Sequence, residues 1–151
     1  MKLALPKYIL LLLFLIPIGG FTQHNNISYT GQFPPCPSSP NCISTQADSS
    51  DQQHYFPPIK YTGDWTSACN DVAEILGSMK RITFTNDSAG YFTAIYRVPF
   101  WGFKDDIEIY LPIGKGLIHL RSASRLGHSD LGANRKRAEW IRQQFRQRER
   151  K

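Results

Sequence analysis

The clearest periodic segment of the chain lies between Asp64 and Lys80, where apolar residues recur every three or four positions. This spacing places them on one face of an α-helix. They are Trp65, Ala68, Cys69, Val72, Leu76 and Met79. Asp64 precedes the pattern, and aspartate accepts hydrogen bonds from the free N–H groups of a first helical turn. The sequence therefore predicts an amphipathic helix that packs on a sheet.

The segments that follow alternate between apolar and polar residues, which is typical of β-strands. The predicted strands are Arg81–Thr85, Tyr91–Val98, Phe103–Leu111 and Gly116–Ser124. Their short connections allow antiparallel neighbours but not parallel crossovers. Pro57–Tyr61 predicts a short edge strand, where proline is tolerated. We therefore expect an α+β fold with a four-stranded antiparallel meander, one packed helix and a C-terminal basic helix.

The last hairpin also predicts a strand register. If Leu111 pairs with Gly116, Ile107 faces Leu120 on the buried face and Asp106 faces Arg121 on the polar face. A slip of one residue would exchange the two faces, so a buried face strongly selects its register. We therefore expect Asp106 and Arg121 to be direct cross-strand neighbours, on a face that also carries Glu108, Tyr110 and His119.

The N-terminal part of the 151-residue chain has the composition of a targeting segment. Tyr8–Ile18 is apolar and follows two lysines, but it is short for a membrane span, which needs about 20 residues. We predict a signal peptide or N-terminal membrane anchor at 1–22, a linker at 23–35 and one globular domain at 36–148. The domain is expected outside the cytoplasm, either periplasmic or membrane-anchored and facing outward.

The net charge of +6 comes entirely from the C-terminal segment after Ala133, which carries eight basic and two acidic residues. Such a helix could contact an anionic membrane surface or an acidic partner, or it could simply be a solvated face. The N-terminal segment is a second candidate for membrane contact. Nucleic acid is the least supported partner, because no short signature of a nucleic-acid fold is present.

Cys36 and Cys42 flank a compact turn, C-P-S-S-P-N-C, and can close a small disulfide loop in an oxidising compartment. A metal site has less support because His54 is the only nearby histidine. A thiol nucleophile would need a base, and the sequence shows none. Cys69 lies in the predicted helix and is expected to be a buried thiol.

The candidate ligand-binding residues gather where the last strand ends and the basic helix begins. Arginine presents donors in a fixed fork that suits phosphate or carboxylate, and a helix start also favours anions. The set consists of Arg121, Ser122, Ser124, Arg125, Asp105 and Asp106. A salt-bridged sheet surface and an acid–base site are the competing interpretations. His128, Ser129 and Asp130 match a catalytic triad only in composition.

Three stretches carry a family resemblance: C-P-S-S-P-N-C-I-S at Cys36–Ser44, G-F-K-D-D-I-E at Gly102–Glu108, and R-S-A-S-R-L-G-H-S-D-L-G-A-N-R at Arg121–Arg135. Together they resemble the bacterial and plastid family called domain of unknown function 1499, over roughly Pro35 to Phe145. The resemblance implies an exported or membrane-attached protein. It brings no established reaction or cofactor.

The function favoured by these observations is a non-enzymatic binding module of the cell envelope for an anionic ligand or partner. One alternative is a hydrolase with Ser124, Ser129 or Cys36 as the nucleophile. Another is a structural domain that has no ligand. No metal or cofactor is predicted.

Overall fold

The computed structural model describes residues 31–149. The predicted targeting segment at 1–22 and most of the predicted linker lie outside the described residues. The elements follow in the order β1 (Cys42–Ser44), β2 (Ile59–Lys60), α1 (Trp65–Ser78), β3 (Ile82–Asn86), β4 (Tyr91–Arg97), β5 (Lys104–Tyr110), β6 (Leu117–Ser124) and α2 (Ala133–Arg148). No helix among these residues is both long enough and apolar enough to cross a bilayer.

The sheet is antiparallel and has six strands, whereas the sequence predicted four. β3 to β6 form the expected meander, and β1 and β2 both pair with the remaining edge of β6. β2 corresponds to the predicted edge strand. β1 was not predicted, because three residues that begin at the second cysteine of the disulfide turn are too few to show an alternating pattern. The α+β class is confirmed.

The predicted register of the last hairpin is wrong by two residues. Asp106 pairs with Ala123, and Arg121 pairs with Glu108 instead of Asp106. The turn between β5 and β6 contains two more residues than expected. Gly114 and Gly116 both adopt positive φ within it, so β5 ends at Tyr110 and β6 begins only at Leu117. The face assignment survives, since a shift of two residues returns each side chain to the same side of the sheet.

Both helices pack on one face of the sheet and leave the other face open. α1 begins as predicted, with the Ser67 N–H donating to Asp64 Oδ2 at 2.8 Å. The core between helices and sheet is formed by fully buried residues, including Val72, Ile75, Leu76, Phe92, Ile107, Ile109, Leu120, Ile141 and Phe145. This two-layer arrangement gives the sheet one dry face and one face available to a ligand.

Candidate functional site

The two adjacent aspartates of β5 point to opposite faces of the sheet, because successive strand side chains alternate. Asp105 is buried toward the helices, and Asp106 is half-buried on the open face. The same alternation divides the whole predicted site. Its helix-side members are Asp105, Ser122 and Ser124, and its open-face members are Asp106, Arg121 and Arg125. The structure therefore does not bring the six predicted residues into one site.

A buried polar network holds the helix-side group. Arg137 of α2 donates from Nη2 to Asp105 Oδ2 at 2.6 Å, and from Nη1 to Ser122 Oγ at 2.9 Å and Asn134 Oδ1 at 2.7 Å. Its guanidinium also lies 4.3 Å from the ring centroid of Tyr96. A buried charge needs such complete pairing, so these contacts fix the position of α2 on the sheet.

Asn134 links this network to the disulfide loop. Its Nδ2 donates to the Asn41 carbonyl at 2.9 Å and to Ser124 Oγ at 3.1 Å, and the Ser124 N–H donates to the same carbonyl. Asn41 in turn donates from Nδ2 to the Gly127 carbonyl at 2.6 Å. Residues from all three family-resembling stretches thus meet inside the fold. Their contacts are structural.

Asn134 and Arg137 were absent from the predicted set, although the sequence carries a signal for them. Both lie on the helical stripe that contains Ala138, Ile141 and Phe145, all buried in α2. A polar residue on an apolar stripe is expected to find a partner in the core. Because Arg137 stands among other basic residues, the pattern indicates a solvated basic face, and the burial of Arg137 is not apparent from the sequence.

The disulfide prediction is confirmed: Cys36 and Cys42 are bonded, with 5.6 Å between their Cα atoms. Such a bond is typical of oxidising compartments. It also removes the Cys36 thiol as a nucleophile, which corrects that part of the hydrolase alternative. Cys69 is a free thiol, and burial raises its pKa, so little reactive thiolate forms near neutral pH.

The open face contains a cavity of about 490 Å³. The sequence predicted a site where the last strand ends and the basic helix begins, but this cavity lies across the sheet from α2. Pro34 borders it at one side, and the sheet supplies the rest of its wall. The charged side chains that line it are Asp106, Glu108, Arg121 and Arg125.

Two ion pairs line the cavity and differ in exposure. Arg125 contacts both carboxylate oxygens of Asp106 at 2.7–3.1 Å, and these side chains are 43% and 38% exposed. Arg121 donates from Nη1 to Glu108 Oε2 at 2.9 Å, and these side chains are only 12% and 15% exposed. Tyr91 donates its hydroxyl to the other Glu108 oxygen at 2.8 Å. Within the described residues, the buried Nε of Arg121 has no hydrogen-bond partner.

A row of three basic residues crosses the open face at one end. Arg97 of β4 pairs directly with Lys104 of β5, and the Arg125 N–H donates to the Lys104 carbonyl at 3.0 Å. Like charges opposite one another on a sheet are destabilising. Neither Arg97 nor Lys104 forms an ion pair with any residue in 31–149. The open face therefore carries an excess of positive charge.

His119 shares the open face but contributes no charge near neutral pH. It pairs with Tyr110 across the hairpin, and its Nδ1 lies 3.2 Å from Thr45 Oγ1. Burial lowers the pKa of His119 below its usual value of 6.5, because the imidazolium form loses hydration.

The basic helix is less free than its composition suggests. Arg137 is committed to the core network, Arg142 pairs with Glu139, and Arg148 donates to Glu74 of α1 at 2.6 Å. Arg137 and Arg148 therefore join α2 to the rest of the domain, whereas the pair of Arg142 with Glu139 lies within α2.

The remaining hydrolase residues show no nucleophile–base pair. The Ser129 hydroxyl accepts from the Leu131 N–H at 3.2 Å, and Ser124 belongs to the buried network. Within 31–149 no serine hydroxyl hydrogen-bonds a histidine. The same range contains no cluster of three or more potential metal ligands.

The geometry defines a class of domain: an antiparallel sheet covered on one face by two helices, stapled by a disulfide and a buried polar network, with an open charged face. A model of the family described as protein of unknown function, DUF1499, matches residues 32–145. The chain belongs to this family, as the resemblance in its three stretches predicted. A comparison with curated proteins finds no match.

Proposed function

We propose that the domain is a non-enzymatic binding module of the cell envelope, and that its open-face cavity binds a phosphate or carboxylate of an anionic ligand. The observation that carries the proposal is the buried Nε of Arg121, which lacks an acceptor among the described residues. An unsatisfied buried donor costs about 1–3 kcal/mol. Because this Nε is shielded from solvent in the free domain, the Arg121 side chain has to shift before a ligand oxygen in the cavity can accept from it.

The charge of the open face supports the same ligand class. Strand alternation places four basic side chains on the open face: Arg97, Lys104, Arg121 and Arg125. It places only two acidic side chains there, those of Asp106 and Glu108. An anion would relieve the repulsion within the basic row. The two carboxylates would remain in place and orient the arginines, Asp106 through a bidentate contact with Arg125 and Glu108 through one hydrogen bond from Arg121.

The proposal narrows the predicted site to one face of the sheet. Arg121 and Arg125 would contact the ligand, and Asp106 would orient Arg125. Ser122, Ser124 and Asp105 are assigned to the fold, since their polar atoms are occupied by α2 and the disulfide loop. The disulfide and the predicted targeting segment support an exported location.

The test compares Arg125→Ala with Arg146→Ala, an exposed arginine of α2 that does not line the cavity. Inorganic phosphate is titrated at constant ionic strength, and thermal unfolding is followed by circular dichroism. Because a ligand that binds only the folded state raises Tm, we expect phosphate to stabilise the wild type and Arg146→Ala but not Arg125→Ala. The proposal is wrong if phosphate leaves the wild type unchanged, or if all three proteins respond equally.

The competing proposal is a structural domain without a ligand, favoured by the burial of the family-resembling residues in one network. It predicts that phosphate changes the Tm of all three proteins by the same amount, because excluded salts stabilise any folded protein without a binding site.

A further inference from the structure

Exposed apolar side chains concentrate at one end of the domain. Five of the seven large exposed hydrophobic residues in the described range lie in two connections: Phe100, Trp101 and Phe103 between β4 and β5, and Leu126 and Leu131 between β6 and α2. Phe100, Trp101 and Leu131 are 103%, 75% and 88% exposed. We call these five residues the apolar end. Exposed apolar groups of this size mark contact surfaces.

The topology places both connections at the same end of the sheet. β4 ends and β5 begins there, where the Val98 N–H donates to the Phe103 carbonyl at 2.8 Å. β6 ends beside them, because the Arg125 N–H reaches the Lys104 carbonyl. Pro99 and Ala133 line one groove, which brings the start of α2 to the same place. The apolar end is therefore one surface built from two loops.

Two residues of the apolar end have strained backbone conformations. Phe100 and Leu131 have φ angles of 67° and 54°, although neither is glycine. A positive φ is a genuine outlier for bulky side chains and persists only where the surroundings impose it. Two strained positions that each present an exposed apolar side chain are a cost to the isolated domain. An environment that accepts those side chains would offset it.

The charge beside the apolar end identifies that environment. The basic row of Arg97, Lys104 and Arg125 lies where the same strands end, and an anionic bilayer complements it with lipid phosphates. Aromatic rings are favoured at the level of the headgroups, and basic side chains at the lipid surface. An acidic protein could also complement the three cations, but exposed aromatic rings directly beside basic side chains are the combination that a headgroup layer accepts.

We propose that the apolar end docks on an anionic membrane surface, with Phe100 and Trp101 among the headgroups and Arg97 and Lys104 against lipid phosphates. This inference shares the basic row with the cavity proposal, but it needs neither Arg121 nor a bound small anion. Quenching of Trp101 and stabilisation by phosphate therefore test the two proposals separately.

The experiment uses the full chain and tryptophan emission, because all three tryptophans lie between 65 and 140 and report on the domain. Vesicles of phosphatidylcholine and phosphatidylglycerol carry brominated acyl chains, which quench nearby indoles. Comparison of the wild type with Trp101→Phe isolates the contribution of Trp101. This local signal is read independently of contacts made by the N-terminal segment.

We expect a quenched component in the wild type that is absent from Trp101→Phe and lost with phosphatidylcholine alone. Each cationic charge near an anionic surface is worth roughly fivefold in partitioning. Arg97→Ala with Lys104→Ala removes two charges and should therefore weaken partitioning by roughly 25-fold, measured as the lipid concentration that gives half-maximal quenching. Lys115→Ala and Ile113→Ser, exposed changes at the opposite end, should leave it unchanged.

Three outcomes would overturn the proposal. The first is no Trp101 quenching in anionic vesicles. The second is equal quenching with and without phosphatidylglycerol. The third is a concentration-dependent dimer in sedimentation that Trp101→Ser abolishes, because a second copy would then cover the apolar end. Circular dichroism of every variant checks that the fold is retained.

Discussion

The adjacent aspartates of β5 allow a sharp test of the buried network, since they occupy the same strand on opposite faces. In Asp105→Ala the partner of Arg137 is removed and a guanidinium is left buried without a counter-charge. In Asp106→Ala an exposed pair with Arg125 is removed. We expect the first change to destabilise the domain strongly and the second to have little effect.

The magnitude follows from burial. The side chains of Arg137 and Asp105 are only 7% and 3% exposed and lie 2.6 Å apart. Removing one member of such a pair costs about 3–5 kcal/mol, because the remaining charge cannot be hydrated. For a domain of this size, that loss corresponds to a fall in Tm of roughly 10–20 °C. Charges in water are screened, so Asp106→Ala should shift Tm far less.

The assay is urea unfolding followed by circular dichroism, analysed for the free energy of unfolding. A second change, Arg137→Met in the Asp105→Ala background, should recover stability because it removes the stranded charge. If Asp105→Ala and Asp106→Ala cost the same, the network does not hold the fold as described. The same conclusion follows if Arg137→Met destabilises the Asp105→Ala protein further.

Two other features predict measurable changes in stability. At Gly90, φ is +78° and an added Cβ would lie 2.7 Å from the Trp65 ring, so Gly90→Ala should reduce the free energy of unfolding by about 2–4 kcal/mol. Gly102 also has a positive φ, +67°, but an added Cβ there would meet open space. Gly102→Ala should therefore cost only about 1 kcal/mol. Equal losses in urea unfolding would contradict this. Because burial lowers the pKa of His119, the folded state binds fewer protons than the unfolded chain below about pH 6.5, and stability should fall as the pH drops from there. His119→Gln should reduce this loss between about pH 7.5 and 5.5, and an unchanged pH profile would refute the role of burial.

The sequence was sufficient to predict α1 and the meander, because these elements have strong periodicity and short connections. Asp64 predicted the start of α1, and turn residues separated β3, β4, β5 and β6. The register was harder, since it depends on how many residues the turn before Leu117 consumes. Two glycines with positive φ there lengthen the turn, and their conformation is not encoded in residue type alone.

The candidate site was predicted only in part, for a reason visible in β5. The sequence placed Asp106 on the polar face, and alternation then puts Asp105 on the buried face with Ile107. The predicted set nevertheless grouped both aspartates in one site. Grouping Ser122 and Ser124 with Arg121 and Arg125 follows from nearness in sequence, which alternation overrides in space. Arg137 escaped detection because its partner, Asp105, lies far away along the chain and its neighbours are also basic.

The hydrogen bond between Asn134 and the Asn41 carbonyl has a consequence for the order of assembly. It joins positions 93 residues apart, and β1 itself has no strand to pair with until β6 has been made. Closing so long a loop is entropically costly and slows folding. A chain that leaves the ribosome amino end first cannot finish its sheet edge until nearly all of it has emerged. If the protein is exported as we propose, this delay would keep the chain unfolded while it crosses the membrane.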